Sequence, residues 1–334
     1  MPFFPTPRSS NAQSAASLQG CCKRKPLTTI VFFVAAALIA FSVGLAGTGA
    51  AAAKPIGNKP VAEPAVLLAE YGEVIYQVNE DSPKQLYIIG ISHRNPATGQ
   101  NNSDTIRTQA EIFRIGEWLN RHRGLELLLP EGYFLKNSRV FQAAPEPHEI
   151  LFDNVLLHKK LADENHFVNA EMLLMEYFDM RASQVEDRNS YNAVRRSLKN
   201  LRVDEPDKLS PRQRLTELKF LQELRTAKLL QNIPDAIETE LRNGTIRNSF
   251  AMFTIGLNHV THIIRNLDEN PFSIDAPEEL ANLNDFNAEL DLLKKGYGIT
   301  IILPRTLANN AELLEAMNLN RIQLAGRVAA TISR

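Results

Sequence analysis

Four apolar runs limit the folds open to this chain: "QLYIIGIS" (residues 85–92), "LELLLP" (125–130), "SFAMFTIG" (249–256) and "YGITIILP" (297–304). Each is about strand length and apolar at consecutive positions. All four read as strands, and the run at 125–130, bounded by Gly124 and Gly132, has the form of a buried one. The intervening segments carry the helical period instead. Asp104 to Arg121 places Ile106, Ala110, Phe113, Ile115 and Trp118 three or four residues apart, or close to it. Val168–Met180 and Tyr191–Leu201 show the same spacing. Ser210, Pro211 and Gln213 form a capping box with proline at the first helical position. That start predicts a helix to about Gln231, after which Pro234 opens or kinks another, ending at Asn243-Gly244. "EVIYQVN" (73–79) reads as a strand, and the turn-like "EDSPK" predicts a hairpin with residues 85–92. "NPFSIDAPEEL" (270–280) reads as loop and helix. The order is strand, helix, strand, several helices, strand, helix, strand. It predicts an α/β fold: a mainly parallel or mixed sheet covered by helices, with a long helical insertion in the middle.

The N-terminus sets the compartment. Lys23, Arg24 and Lys25 precede an uncharged stretch from Pro26 to Ala53, whose core is "LTTIVFFVAAALIAFSVGLAG". That core is close to the ~20 apolar residues that span a bilayer as a helix. The small residues of "TGAAAAKP" offer an A-x-A style cleavage site. Residues 1–53 therefore read as a signal peptide or an N-terminal membrane anchor, residues 54–70 as a linker, and residues 71–334 as one domain. Positive charge before the apolar run predicts export of the remainder, to the periplasm or the extracellular side, anchored if uncleaved. Cys21 and Cys22 both precede the run, so the exported part has no disulfide or thiolate chemistry. It carries 33 basic and 38 acidic side chains, a formal charge of −5. That balance argues against a nucleic-acid binder, which needs a basic excess.

Three of the runs deliver a polar residue just past their ends. His93 follows "LYIIG", Glu131 follows "LELLLP", and His259 follows "AMFTIG". In an open parallel sheet such residues converge on one edge, where ligands bind. Gly90 and Gly256 would let the backbone turn sharply there. Two imidazoles and a carboxylate suit a divalent metal with an open position, or acid–base chemistry without metal. Glu126 competes with Glu131 for the acidic role. His262, three residues after His259, could share its helix face. His122, His148, His158 and His166 show no ligand spacing and read as surface residues. No P-loop, dinucleotide fingerprint or G-x-S-x-G elbow is present.

These residues resemble the superfamily that joins the TraB and Tiki proteins, the erythromycin esterases and the ChaN-like haem-binding proteins. "GISHRNPATGQNNSDTIRTQAEIF" is similar to its first G-x-x-H segment, with His93, and "LELLLPEGYF" to the strand that ends in an acidic residue, here Glu131. "VEDRNSYNAV" resembles the central motif, giving Arg188 between Asp187 and Asn189, and "FTIGLNHV" the last G-x-x-H, giving His259. Ile91 stands where esterase and ChaN-like members carry an acidic residue. The resemblance implies a hydrolase, peptidase or esterase, acting on a small-molecule or peptide substrate. Glu131 and Arg188 would be its catalytic residues, with Arg188 stabilising developing negative charge. His93, Glu131 and His259 would hold a divalent metal, or His93 and His259 a haem. A haem- or ligand-binding protein and a non-catalytic member are the alternatives.

Overall fold

The computed structural model describes residues 64–92, 102–134, 153–163, 168–201, 209–269, 272–278, 286–288 and 290–319. His93, and the apolar run read as signal or anchor, lie outside these residues. Among the described residues no helix is long and apolar enough to cross a membrane.

The elements are α1 (Pro64–Tyr71), β1 (Gly72–Val78), β2 (Lys84–Ile91), α2 (Ser103–Arg123), β3 (Leu127–Pro130), α3 (Asn154–Leu161) and α4 (Ala170–Phe178). Then come β4 (Arg181–Ala182), α5 (Arg188–Leu201), α6 (Pro211–Arg242), β5 (Ser249–Gly256), α7 (Leu257–Asp268), β6 (Phe272–Ile274) and β7 (Phe286–Ala288). The last are α8 (Asp291–Lys294), β8 (Tyr297–Pro304), α9 (Arg305–Ala308) and α10 (Ala311–Ala316). Six strands form one mixed sheet in the order β1-β8-β2-β5-β3-β4. Every neighbouring pair is parallel except β1 with β8. The expected α/β architecture is therefore present, and its four apolar runs are β2, β3, β5 and β8. The long helical insertion is α5 and α6, which pack as a pair between β4 and β5.

Strand alternation divides the core in two. Leu86, Ile88, Leu127, Leu129, Phe253, Ile255, Ile299 and Ile301 point to one face, against Leu230, Ile233 and Ile237 of α6 and Val260 and Ile263 of α7. Tyr87, Ile89, Leu128, Met252 and Ile302 point to the other, against Ile112, Phe113, Ile115 and Leu119 of α2 and Leu173 of α4. Each such aliphatic side chain, fully buried, contributes roughly 1.5–3 kcal/mol of transfer free energy.

Four expectations are corrected. First, β1 and β2 are not a hairpin, because β8 lies between them. β2 and β8 are apolar on both faces and take interior positions; β1 alternates buried with more exposed residues and takes the edge. The connection between β1 and β2 passes over the end of β8 at Gly298, where any Cβ would collide with the Asn79 carbonyl oxygen. Second, α6 does not break at Pro234; it is one helix from Pro211 to Arg242, started by the expected capping box. Buried Leu229, Leu230, Ile233 and Ile237 flank the proline, and their packing outweighs its missing N–H. Third, residues 64–70, read as linker, belong to α1, and Leu68 packs on the core against α2. Fourth, the segment 270–280 contributes a strand, β6, paired antiparallel with β7.

Candidate active site

Glu131 follows β3 directly, and its N–H donates to the Thr254 carbonyl of β5 at 2.9 Å, extending the ladder by one residue. Its carboxylate thereby meets the start of α7. Oε2 accepts the Gly256 N–H at 2.6 Å. Gly256 is the N-cap of α7 and has no side chain to cap it, so Glu131 satisfies an orphan N–H from a different strand. A carboxylate at a helix N-terminus is also favoured by the helix dipole.

α7 starts immediately after β5, so His259 falls in its first turn, at the sheet's carboxyl edge. Its Nε2 lies 3.7 Å from Glu131 Oε1, with each side chain 8 % exposed. The other ring nitrogen, Nδ1, is 2.6 Å from the Thr226 hydroxyl of α6. The structure thus brings Glu131 and His259 together. Gly90 and Gly256 do not have positive φ, so neither uses the left-handed backbone freedom of glycine, and His259 is presented by α7 starting directly after β5. Gly90 instead gives α7 room: a Cβ there would sit 3.1 Å from Leu257 Cδ1 and 2.8 Å from Leu303 Cδ2.

The cation beside Glu131 is not Arg188. Arg188 is exposed at the start of α5, its guanidinium 4.6 Å from the centre of the Phe134 ring. Asp187 before it caps the helix, accepting Ser190 N–H at 2.8 Å and the Ser190 hydroxyl at 2.6 Å. The Ser190 hydrogen bonds outweigh partial burial and hold the Asp187 carboxyl below the usual carboxylate range. Arg225 of α6 is the partner instead: its Nη1 donates to Glu131 Oε1 at 2.7 Å. Its Nε and Nη2 donate to Glu186 Oε1 and Oε2 at 3.0 and 2.5 Å. Glu186 lies between β4 and α5 and also accepts the Gly132 N–H at 3.1 Å. Burial works against the charge on Arg225, but the hydrogen bond to Glu186 and the charges of Glu131 and Glu186 prevail and raise its pKa above the usual arginine value. Tyr191 lies 5.3 Å from the guanidinium and packs edge-on against Phe134.

Arg225, Glu186 and Thr226 were not singled out in the sequence, although a signal existed. Arg225 stands seven residues after Leu218 and four before Leu229, on the apolar face of α6. An arginine at a core position needs a buried acidic partner. The competitor Glu126 is excluded by position: it sits at the opposite end of β3, accepting the Arg247 N–H at 2.7 Å. His262 is half-buried on α7, and burial lowers its pKa. His158 lies near its own helix, Nδ1 2.7 Å from the Asn154 carbonyl. His122, read as a surface residue, stacks near Trp118 and lines a cavity of about 1050 Å³ beside β1 and the end of α2. Glu131, Arg225 and His259 do not line that cavity. His148 and His166 lie outside the described residues.

Among the described residues no group of three or more His, Cys, Asp and Glu could hold a metal ion. Glu131 and His259 offer two donors, but Glu131 Oε1 already receives Arg225. A dication there would face a buried guanidinium. The described residues alone therefore do not fit a metal, and the third expected ligand, His93, lies outside them. What they do fit is proton transfer: an imidazole and a carboxylate in one buried corner, the carboxylate bonded to a guanidinium and to a helix N-terminus. Comparison with protein-family models, with curated proteins and with solved structures gives no match.

Proposed function

We propose that this chain is an exported hydrolase of the TraB/Tiki kind, cleaving a peptide or ester through His259 and Glu131. The reading is carried by one observation: His259 Nε2 lies 3.7 Å from Glu131 Oε1 in a buried corner at the carboxyl ends of parallel strands. His259 takes a proton from the attacking water and returns one to the leaving group. Glu131 stabilises the imidazolium that forms in between. Arg225 holds Glu131 in place. Exposed Arg188, with Phe134 and Tyr191, forms the rim that meets substrate and stabilises negative charge on the attacked carbonyl oxygen.

The test is hydrolysis of a panel of esters and peptides by the purified protein, alongside His259→Asn and Glu131→Gln. Removing a general acid–base group costs on the order of 10²–10⁴-fold in rate. Full activity in His259→Asn would end the proposal. Metal content and the absorption spectrum of the same preparation separate this reading from its rivals. A stoichiometric divalent metal would favour the metal-dependent variant, and a Soret band a haem-binding protein.

A further inference from the structure

The cavity of about 1050 Å³ beside β1 shares no residue with the Glu131–His259 corner. It lies where α2 ends, and Tyr87, Trp118, Phe250 and Ile302 give it an aromatic and aliphatic wall. Its size is that of a large ligand pocket, and such pockets combine an apolar lining with a few polar groups. Two of the aromatic side chains are buried with a polar atom unpaired. Tyr87 is 7 % exposed, and its hydroxyl has no hydrogen-bond partner among the described residues. Trp118 is 8 % exposed, and its indole N–H has no partner either. Buried polar groups are paired as a rule, so unpaired ones in a cavity wall point to a ligand.

Charges of both signs act on the Tyr87 hydroxyl. Arg123 holds its guanidinium 5.9 Å from the centre of the Trp118 ring and lines the cavity. Glu80 and Asp81 line it too, from the connection between β1 and β2. Burial raises the Tyr87 pKa, Arg123 lowers it and Glu80 raises it, so both charges lie within electrostatic reach of the hydroxyl. Among the described residues, however, Arg123, Glu80 and Asp81 form no ion pair. The cavity therefore keeps positive and negative charge apart beside an aromatic wall. A ligand with a carboxylate alone would leave Glu80 opposing it, and a ligand with an ammonium alone would leave Arg123 opposing it. A zwitterion answers both.

We propose that this cavity is a second binding site, for a small zwitterion with an aromatic body: an aromatic amino acid or a short peptide containing one. Arg123 and the Tyr87 hydroxyl take the carboxylate, Glu80 and Asp81 the ammonium, and the ring lies against Trp118 and Phe250. The assignment goes beyond the proposed hydrolysis and does not rest on it.

Trp118 is the one tryptophan of the chain, so its fluorescence reports on this site. The test is titration of the purified protein with L-phenylalanine and with the dipeptide phenylalanyl-phenylalanine, followed by fluorescence and by calorimetry. At least one is expected to give a saturable signal, and which one does separates free amino acid from peptide. The same compound acetylated at the amine, or amidated at the carboxyl, is expected to bind about 10- to 100-fold more weakly, the loss typical of a hydrogen bond to a charged group. Arg123→Gln, and Glu80→Gln combined with Asp81→Asn, should show losses of the same size; all three residues are exposed, so both variants should fold. No saturable signal with either compound, binding that either cap leaves unchanged, or binding undiminished in Arg123→Gln overturns the proposal. A protein that binds these ligands and hydrolyses nothing would refute the proposed function and leave the cavity assignment standing.

Discussion

Arg225 and Glu186 form a two-pronged ion pair in the interior, with N–H···O distances of 3.0 and 2.5 Å, while the third arm of the same guanidinium holds Glu131 at 2.7 Å. Both carboxylates share this cation, so its removal takes a buried charge partner from each. Breaking a buried pair from one side costs about 3–5 kcal/mol. Arg225→Met should lose at least that in urea unfolding. Adding Glu186→Gln should recover part of the loss, because one of the two carboxylate charges is gone. A single mutant within about 1 kcal/mol of the native protein would show that the cluster is not held by this contact.

Two glycines should differ in what they tolerate. At Gly298 an added Cβ meets the Asn79 carbonyl oxygen, a backbone atom that cannot move without displacing the β1–β2 connection. At Gly90 it meets the ends of Leu303 and Leu257 side chains, which can adjust. Overpacking costs roughly 1–3 kcal/mol and occasionally more. Gly298→Ala should reach or pass the top of that range and Gly90→Ala stay near its bottom. Thermal melts of the two variants give the comparison, and the reverse order would contradict the crossing.

Burial drives the pKa of His262 below its ordinary value of 6.5. The folded protein then binds its proton more weakly than the unfolded chain. The stabilisation is present above 6.5 and is lost as pH falls below it toward the folded value. His262→Phe cannot titrate, so its stability should fall less than that of the native protein between pH 7 and about 5. Equal pH slopes would show that His262 does not govern acid stability in this range.

The depressed Asp187 pKa has the opposite origin and the same sign. The Ser190 hydrogen bonds favour the charged form, so the stabilisation is present above the ordinary carboxylate range. It is lost as pH falls through the lower folded value. Asp187→Ala should destabilise α5 by about 1 kcal/mol at neutral pH, as the loss of a helix cap does. The difference from the native protein should shrink in acid. A difference constant down to the lowest workable pH would mean that the charge contributes nothing.

Glu131 and His259 could be nominated from the chain because each follows an apolar strand directly, so a short-range pattern locates it at the sheet's carboxyl edge. Arg225 could not be nominated the same way. It lies in the middle of a 32-residue helix, and only the packing of α6 against α5, α7 and β5 brings it between two carboxylates from different connections. Arg188, adjacent to the conspicuous Glu186-Asp187 pair in sequence, starts α5 and is exposed, so it does not join the buried cluster.

What the sequence determined by itself was local. Four apolar runs read as strands, the amphipathic segments as their helical cover, and Ser210-Pro-Arg-Gln213 as a helix start. These follow from burial and backbone hydrogen bonding within a few residues. The tertiary structure alone decided that β8 separates β1 from β2, that α6 continues through Pro234, and that one arginine bridges Glu131 and Glu186. Each of those outcomes is a competition between distant partners, settled by which arrangement buries the most apolar surface while leaving no charge unpaired.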